Sequence, residues 1–165
     1  MYLTIDGWES NLRFSAAHFI PSHTKCSRLH GHDYAVSVTV FGSQEKEFLI
    51  DFLDLKKYVE DIITPLDHRV LVPGKGDSIR REFTEDQCRI TYGGKSMMFW
   101  REDVYLLDAE SSSSEDMASF LADQLHAKLR NYRKITKLEV CIEEGPGMGA
   151  CAEKSVQPVN QMNDR

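Results

Sequence analysis

Cys26-Ser27-Arg28-Leu29-His30-Gly31-His32 sets two imidazoles one glycine apart at the head of an alternating apolar run. In a β-strand over residues 30–40, side chains two apart share a face. His30 and His32 then point the same way, and Gly31 lets the backbone pass closely. His32, Tyr34, Val36, Val38 and Val40 form one face, with Asp33, Ser37 and Thr39 on the other. A second alternating stretch, Leu12-Arg13-Phe14-Ser15-Ala16-Ala17-His18, carries a third imidazole on its apolar face. Antiparallel pairing of the two strands would bring His18 beside His30 and His32. Burying several imidazoles together is costly unless they coordinate something. Three neutral imidazoles suit zinc, and three protein ligands leave a fourth position open for water or substrate. The expectation is a zinc enzyme with His18, His30 and His32 as ligands.

Cys26 lies four residues before His30 on a segment, residues 20–29, whose Pro21, Ser22, Thr24 and Lys25 read as a loop. Two roles are open to it. As a fourth ligand it would close the metal site into a structural one; off the metal, its thiolate would serve as a base. Spacing alone admits both.

Composition narrows the class. The 165 residues suit one domain, and a net charge of -6 provides no overall basic field for nucleic acid or an anionic membrane. The sequence has no apolar run long enough to span a bilayer, and Met1-Tyr2-Leu3-Thr4-Ile5-Asp6 lacks a signal core, so a cytoplasmic location is expected. In that compartment free or functional thiols are favoured over disulfides for the four cysteines, and Cys88, Cys141 and Cys151 receive no role.

Downstream, Gly42-Ser43-Gln44 reads as a turn and Glu47 to Phe52 as a third strand. Asp51 or Asp54 would cap a helix with Leu55, Val59, Ile62 and Ile63 on one stripe, stopped by Pro65. Val72 to Asp86 reads as a long loop, and 88–92 with 95–100, joined at Gly93-Gly94, as a β-hairpin. Ser111 to Ser114 provide N-caps for a second helix with Met117, Phe120, Leu121, Leu125 and Leu129 on its stripe. A last strand, Leu138 to Ile142, ends in Glu143-Glu144 before Gly145-Pro146-Gly147; the tail beyond Ala152 is polar. Strands with two helices between the third and the last predict an α+β fold.

Three further features bear on chemistry. In Asp67-His68 the carboxylate would orient an imidazole that moves a proton, although side chains adjacent in sequence need not touch. Glu143 and Glu144, at a strand end, are ordinarily solvated charges. A carboxylate at a sheet edge near a pocket also accepts two parallel hydrogen bonds from a planar amidine-like group. His23 in a polar loop and His126 on the solvent side of its helix read as surface residues.

Taken in order, several motifs resemble the 6-pyruvoyltetrahydropterin and 6-carboxytetrahydropterin synthase family. They are Phe14-Ser15-Ala16-Ala17-His18, Cys26 through Tyr34, Phe48-Leu49-Ile50-Asp51-Phe52-Leu53-Asp54-Leu55-Lys56, Leu66-Asp67-His68, Ser114-Glu115-Asp116-Met117-Ala118, and Glu144 with Pro146 and Ala150. The likeness runs from about residue 10 to 150. It implies the tunnelling fold, an antiparallel four-stranded sheet with two helices on one face, assembling as a homo-oligomer with active sites at subunit interfaces. The hairpin then belongs to an insertion at about 72–108 in a single domain over 1–152, and 153–165 is a tail.

The resemblance also implies zinc on His18, His30 and His32, Cys26 as catalytic base assisted by Asp67 and His68, and Glu144 as anchor of a pterin substrate. Gly145 stands where the family usually has threonine, and Ala152 where an aromatic is common. Members making the 6-carboxy product typically place three residues between the cysteine and the paired histidines, and biopterin-pathway members five; Ser27, Arg28 and Leu29 are three. The expected reaction converts 7,8-dihydroneopterin triphosphate to 6-carboxy-5,6,7,8-tetrahydropterin with loss of acetaldehyde and triphosphate, as in queuosine biosynthesis. The alternatives are a 6-pyruvoyltetrahydropterin synthase or a non-catalytic zinc- and pterin-binding module, the latter marked by Cys26 on the metal.

Overall fold

A computed structural model describes residues 1–43 and 48–156. In chain order the strands and helices are β1 (Tyr2–Ile5), β2 (Arg13–His18), β3 (His30–Gly42), α1 (Phe52–Ile63), β4 (Arg69–Pro73), β5 (Arg80–Phe83), β6 (Gln87–Tyr92), β7 (Lys95–Trp100), β8 (Val104–Leu107), α2 (Ser114–Leu129), β9 (Ile135–Gly145) and β10 (Met148–Ser155). They form the expected α+β fold. Among the described residues the main sheet has seven strands, in the order β10-β9-β3-β2-β4-β8 with β1 on β3 beside β2. The expected sheet of four antiparallel strands is therefore too small, and it is not purely antiparallel, since β2 pairs with β4 and β4 with β8 in parallel.

Four of the missed strands, β1, β4, β5 and β8, are only four or five residues long. β4 reads Arg-Val-Leu-Val-Pro and is buried on both faces, with Leu71 in the main core and Val72 in a second cluster, so it shows no period of two. The segment 72–108 accordingly divides. Its ends belong to the main sheet, and residues 80–100 form a separate antiparallel sheet, β5-β6-β7, containing the expected hairpin at Gly93-Gly94. The expected loop at 72–86 thus contains the end of β4 and all of β5.

The expected strand from Glu47 to Phe52 is also corrected. Glu47 and Gln44 lie outside the described residues, Phe48 to Asp51 are not strand, and Phe52 opens α1. Asp51 is the N-cap of α1, its carboxylate accepting the Leu53 N–H at 2.7 Å. α2 is capped in the same way by Ser113.

One face of the sheet, with Phe14, Tyr34, Val36, Val38, Val40, Val140 and Ile142, meets the buried stripes of both helices: Leu55, Val59 and Ile63 of α1, and Met117, Leu121, Leu125 and Leu129 of α2. Each such side chain gains roughly 1.5–3 kcal/mol on full burial, so packing rather than intrinsic propensity holds the helices.

After the turn at Pro146-Gly147 the chain returns as β10 to Ser155, and Val156 is buried, so the ordered structure runs past Ala152. This return strand places Cys151 directly opposite Cys141, and the two form a disulfide, against the expectation of free thiols. A closed loop of this size constrains the unfolded chain by about 3 kcal/mol. Cys26 and Cys88 are free.

Candidate metal centre and active site

The register of β2 on β3 builds the imidazole cluster. His18 pairs with His30, Ala16 with His32 and Phe14 with Tyr34, so the alternation that buries Phe14 and Tyr34 turns all three histidines to the helix side of the sheet. Gly31 sits where a Cβ would come within 2.9 Å of the Ala16 carbonyl oxygen, so a side chain there would force the strands apart. The three histidines offer nitrogens within 4.8 Å of one another, a group able to hold a metal ion.

Their hydrogen bonds fix the tautomers. The Nδ1–H of His18 donates to the Ser112 carbonyl at 2.7 Å, and the Nδ1–H of His30 to the Arg28 carbonyl at 2.8 Å. Each Nε2 is then left with a lone pair, and these two atoms face each other at 3.1 Å. Two lone pairs at that distance repel unless a proton or a metal ion lies between them. The Nε2 of His32 is buried with no hydrogen-bond partner among the described residues. Carbonyls that fix ring orientation behind ligating nitrogens, together with an orphaned third nitrogen, match the needs of a metal bound through imidazoles. Burial pushes the fully buried His18 below the ordinary imidazole range; the Ser112 carbonyl and the Glu144 carboxylate offset part of the shift.

The two glutamates at the end of β9 separate by parity. Glu144 continues the Val140, Ile142 face, and its carboxylate oxygens lie 3.8 Å from His18 Nε2 and 3.6 Å from His32 Nε2. The Ser114 hydroxyl donates to its Oε1 at 2.9 Å. Glu143, on the other face, accepts the Trp8 indole N–H on one oxygen and the Gly147 N–H on the other, each at 2.8 Å. The Tyr34 hydroxyl is buried near the cluster without a partner among the described residues. Burial, then Glu144, pushes its phenol well above the ordinary tyrosine range.

Asp67 and His68 do touch: His68 Nδ1 lies 2.9 Å from Asp67 Oδ2. Both are clamped to β2, because Asp67 Oδ1 accepts the Ser15 N–H at 2.8 Å and the His68 N–H donates to the Ser15 carbonyl at 2.7 Å. His68 holds a left-handed backbone at φ 58°, a conformation costly for a side chain with a Cβ and typical of functional positions. Burial acts to raise the Asp67 carboxyl, but the Ser15 N–H and the His68 contacts outweigh it and hold it below the ordinary aspartate range. The His68 side chain is 84% exposed and borders, with His32 and Ser15, a groove of about 570 Å³.

Cys26 is half-buried on its loop and is not part of the imidazole group. The structure therefore joins His18, His30, His32 and Glu144, and leaves Cys26 and the Asp67–His68 pair on separate supports. Two supporting residues went unread in the sequence. Ser112, in a run taken only as capping material, orients His18 with its carbonyl, while its hydroxyl donates to Phe19 O at 2.8 Å. His23, taken as a surface residue, accepts the Cys26 N–H on Nδ1 at 2.9 Å. Neither contact has a signature in spacing.

Comparison with known proteins agrees with this geometry. A profile of the family described as 6-pyruvoyl tetrahydropterin synthase matches residues 9–155. A relative from Methanocaldococcus jannaschii, provisionally named 6-carboxy-5,6,7,8-tetrahydropterin synthase, is 34% identical over 161 residues, covering 95% of this chain and 99% of its own. The 6-carboxy-5,6,7,8-tetrahydropterin synthase of Bacillus subtilis is 47% identical over 53 residues, 30% of this chain and 36% of its own. Among solved structures, 6-pyruvoyl tetrahydropterin synthase from Plasmodium vivax superposes with a TM-score of 0.86 at 26% identity, covering 94% of this chain and 98% of that one.

Proposed function

Because the chain belongs to the 6-pyruvoyl tetrahydropterin synthase family, we propose that it is a zinc-dependent lyase. In this reading it converts 7,8-dihydroneopterin triphosphate and one water to 6-carboxy-5,6,7,8-tetrahydropterin, acetaldehyde and triphosphate. The observation that carries this is the placement of one oriented carboxylate, Glu144, against three imidazoles whose free nitrogens converge. His18, His30 and His32 would hold zinc, which when bound supplies a Lewis acid for the hydroxyls of the substrate side chain.

The remaining chemistry falls to the chain's own groups. Glu144, steadied by Ser114, accepts the amino group and ring N–H of the pterin as a parallel donor pair, fixing the ring beside the imidazoles. Cys26 takes or returns a proton next to the developing carbonyl. His68 exchanges protons, and Asp67 holds its ring through Nδ1, a contact the 2.9 Å separation supports. Active sites at the interfaces of a homo-oligomer belong to this proposal: in the single chain His68 stands open to a neighbour. Arg13, Lys25 and Arg28 are candidates to hold the triphosphate.

The choice of the 6-carboxy product rests on the three residues between Cys26 and His30 and on the names of the relatives. Incubation of zinc-loaded protein with 7,8-dihydroneopterin triphosphate, followed by mass spectrometry, tests it. The expected products are 6-carboxy-5,6,7,8-tetrahydropterin and acetaldehyde. A 6-pyruvoyl product without acetaldehyde would move the protein to the biopterin-type reaction, and intact substrate would leave a binding module.

A further inference from the structure

The small sheet β5-β6-β7 contributes nothing to the imidazole cluster, yet it grips the loop that carries Cys26. That loop closes on itself. The Ile20 N–H donates to Cys26 O at 2.7 Å, the His23 N–H to Ile20 O at 3.0 Å, and the Ser27 N–H to His23 O at 3.1 Å. These bonds give it a shape but not a place, since most of its residues from Ser22 to Leu29 are open to solvent.

Its place is fixed by Tyr92, the last residue of β6. The Tyr92 ring stacks on Phe19 at the start of the loop, with centroids 4.6 Å apart and planes 6° from parallel. Its hydroxyl donates to the carbonyl of Ser27, the residue after Cys26, at 2.6 Å. One side chain thus holds both ends of the loop. Tyr92 is itself held in the second core, with Val72, Ile79, Cys88 and Ile90. Lys95, over the Tyr92 ring at 5.8 Å, adds a bond to the Ser27 hydroxyl at 3.2 Å.

We propose that Tyr92 is a positioning residue that sets where the Cys26 thiol stands, with the three-stranded sheet as its frame. The inference rests on the reading of Cys26 as proton acceptor. An acceptor must come within about 2.6–3.2 Å of its target atom. A misplacement of about 1 Å can cost about 10²-fold in rate. A closed but exposed loop does not hold that tolerance alone; a tether to a packed sheet does. The Tyr92 ring would serve a purely packing role equally well as phenylalanine, so the hydroxyl is what separates the two roles.

Tyr92→Phe removes the hydroxyl and keeps the stack. In the zinc-loaded protein it is expected to leave zinc content and melting temperature close to wild type. Amide exchange over residues 20–28 should rise, the rate at which iodoacetamide labels Cys26 should change by about threefold or more, and kcat should fall by about fivefold with KM nearly unchanged. Tyr92→Leu, which also loses the stack, should move the same readouts further. Wild-type exchange, labelling and kcat in Tyr92→Phe overturn the inference, as does a loss of stability without any change in the loop. Cys26→Ala is measured alongside. Full turnover in that variant would sink the acceptor role of Cys26, whereas loop exchange and labelling still decide whether Tyr92 holds the loop.

Discussion

The imidazole centre and the groups proposed to handle protons are built on different supports. The first rests on strand alternation: His18, His30, His32 and Glu144 are turned to one face by the same register that packs the core, so displacing one means breaking the sheet. The second rests on hydrogen bonds at the margins. Cys26 rides a loop steadied by His23 and Tyr92, and His68 stands exposed on a strained residue clamped to Ser15. The groups proposed to bind are held by the fold itself, whereas the groups proposed to move protons are held by contacts that substitution can remove singly.

The largest break in this contrast is expected from the ligands. His30→Ala and His32→Ala should lose zinc by more than the about 10–100-fold typical of an outer-sphere partner, with turnover abolished; metal analysis after dialysis checks this, and stoichiometric zinc in both would remove the assignment. Cys26→Ala should retain zinc and fold while turnover drops about 10²–10⁴-fold. If zinc content falls with it, Cys26 is a ligand instead.

Glu144→Ala should weaken binding of a pterin by about 5–150-fold, the consequence of leaving a buried donor pair unmatched. Glu143→Ala should spare pterin affinity and lower stability only, because its partners are Trp8 and Gly147. Calorimetry on the pair separates the two, and loss of zinc in Glu144→Ala would mark that carboxylate as a ligand rather than an anchor.

The smallest effect is one of pH on chelated protein. Burial holds His18 below its ordinary value of 6.5. Its contribution to stability is therefore complete above the unfolded value and is lost as the pH falls through the lower folded one. Denaturant midpoints between about pH 7.5 and 5 should decline, and His18→Gln should flatten that decline; an unchanged slope would mean that another group carries it.

What could be read from the sequence follows the same division. The strand periods of 12–18 and 30–40 are long and clean, so the imidazole face, the pairing of β2 with β3 and both helix stripes were legible. β4 was not, because a strand buried on both sides has no alternation to detect. The Cys141–Cys151 bridge was missed for a related reason: a cross-strand pair has no meaning until the return strand is recognised, and β10 alternates among small and charged residues. The contacts of Ser112 and Tyr92 join residues more than sixty apart, and nothing local encodes them.

β4 carries Leu71 into one core and Val72 into the other, which makes it a party wall rather than a border. Excising residues 80–100 would strip the cover from Val72, Phe19 and Val104 and leave an oily flank on the remaining sheet, so the small sheet is no detachable ornament. The Gly93-Gly94 turn, where both residues have positive φ and nothing lies within 4 Å of either Cβ position, projects clear of both cores. A protease or denaturant that opens one side of the wall should bring down the other, and the two sheets should vanish from exchange protection as a single cooperative block.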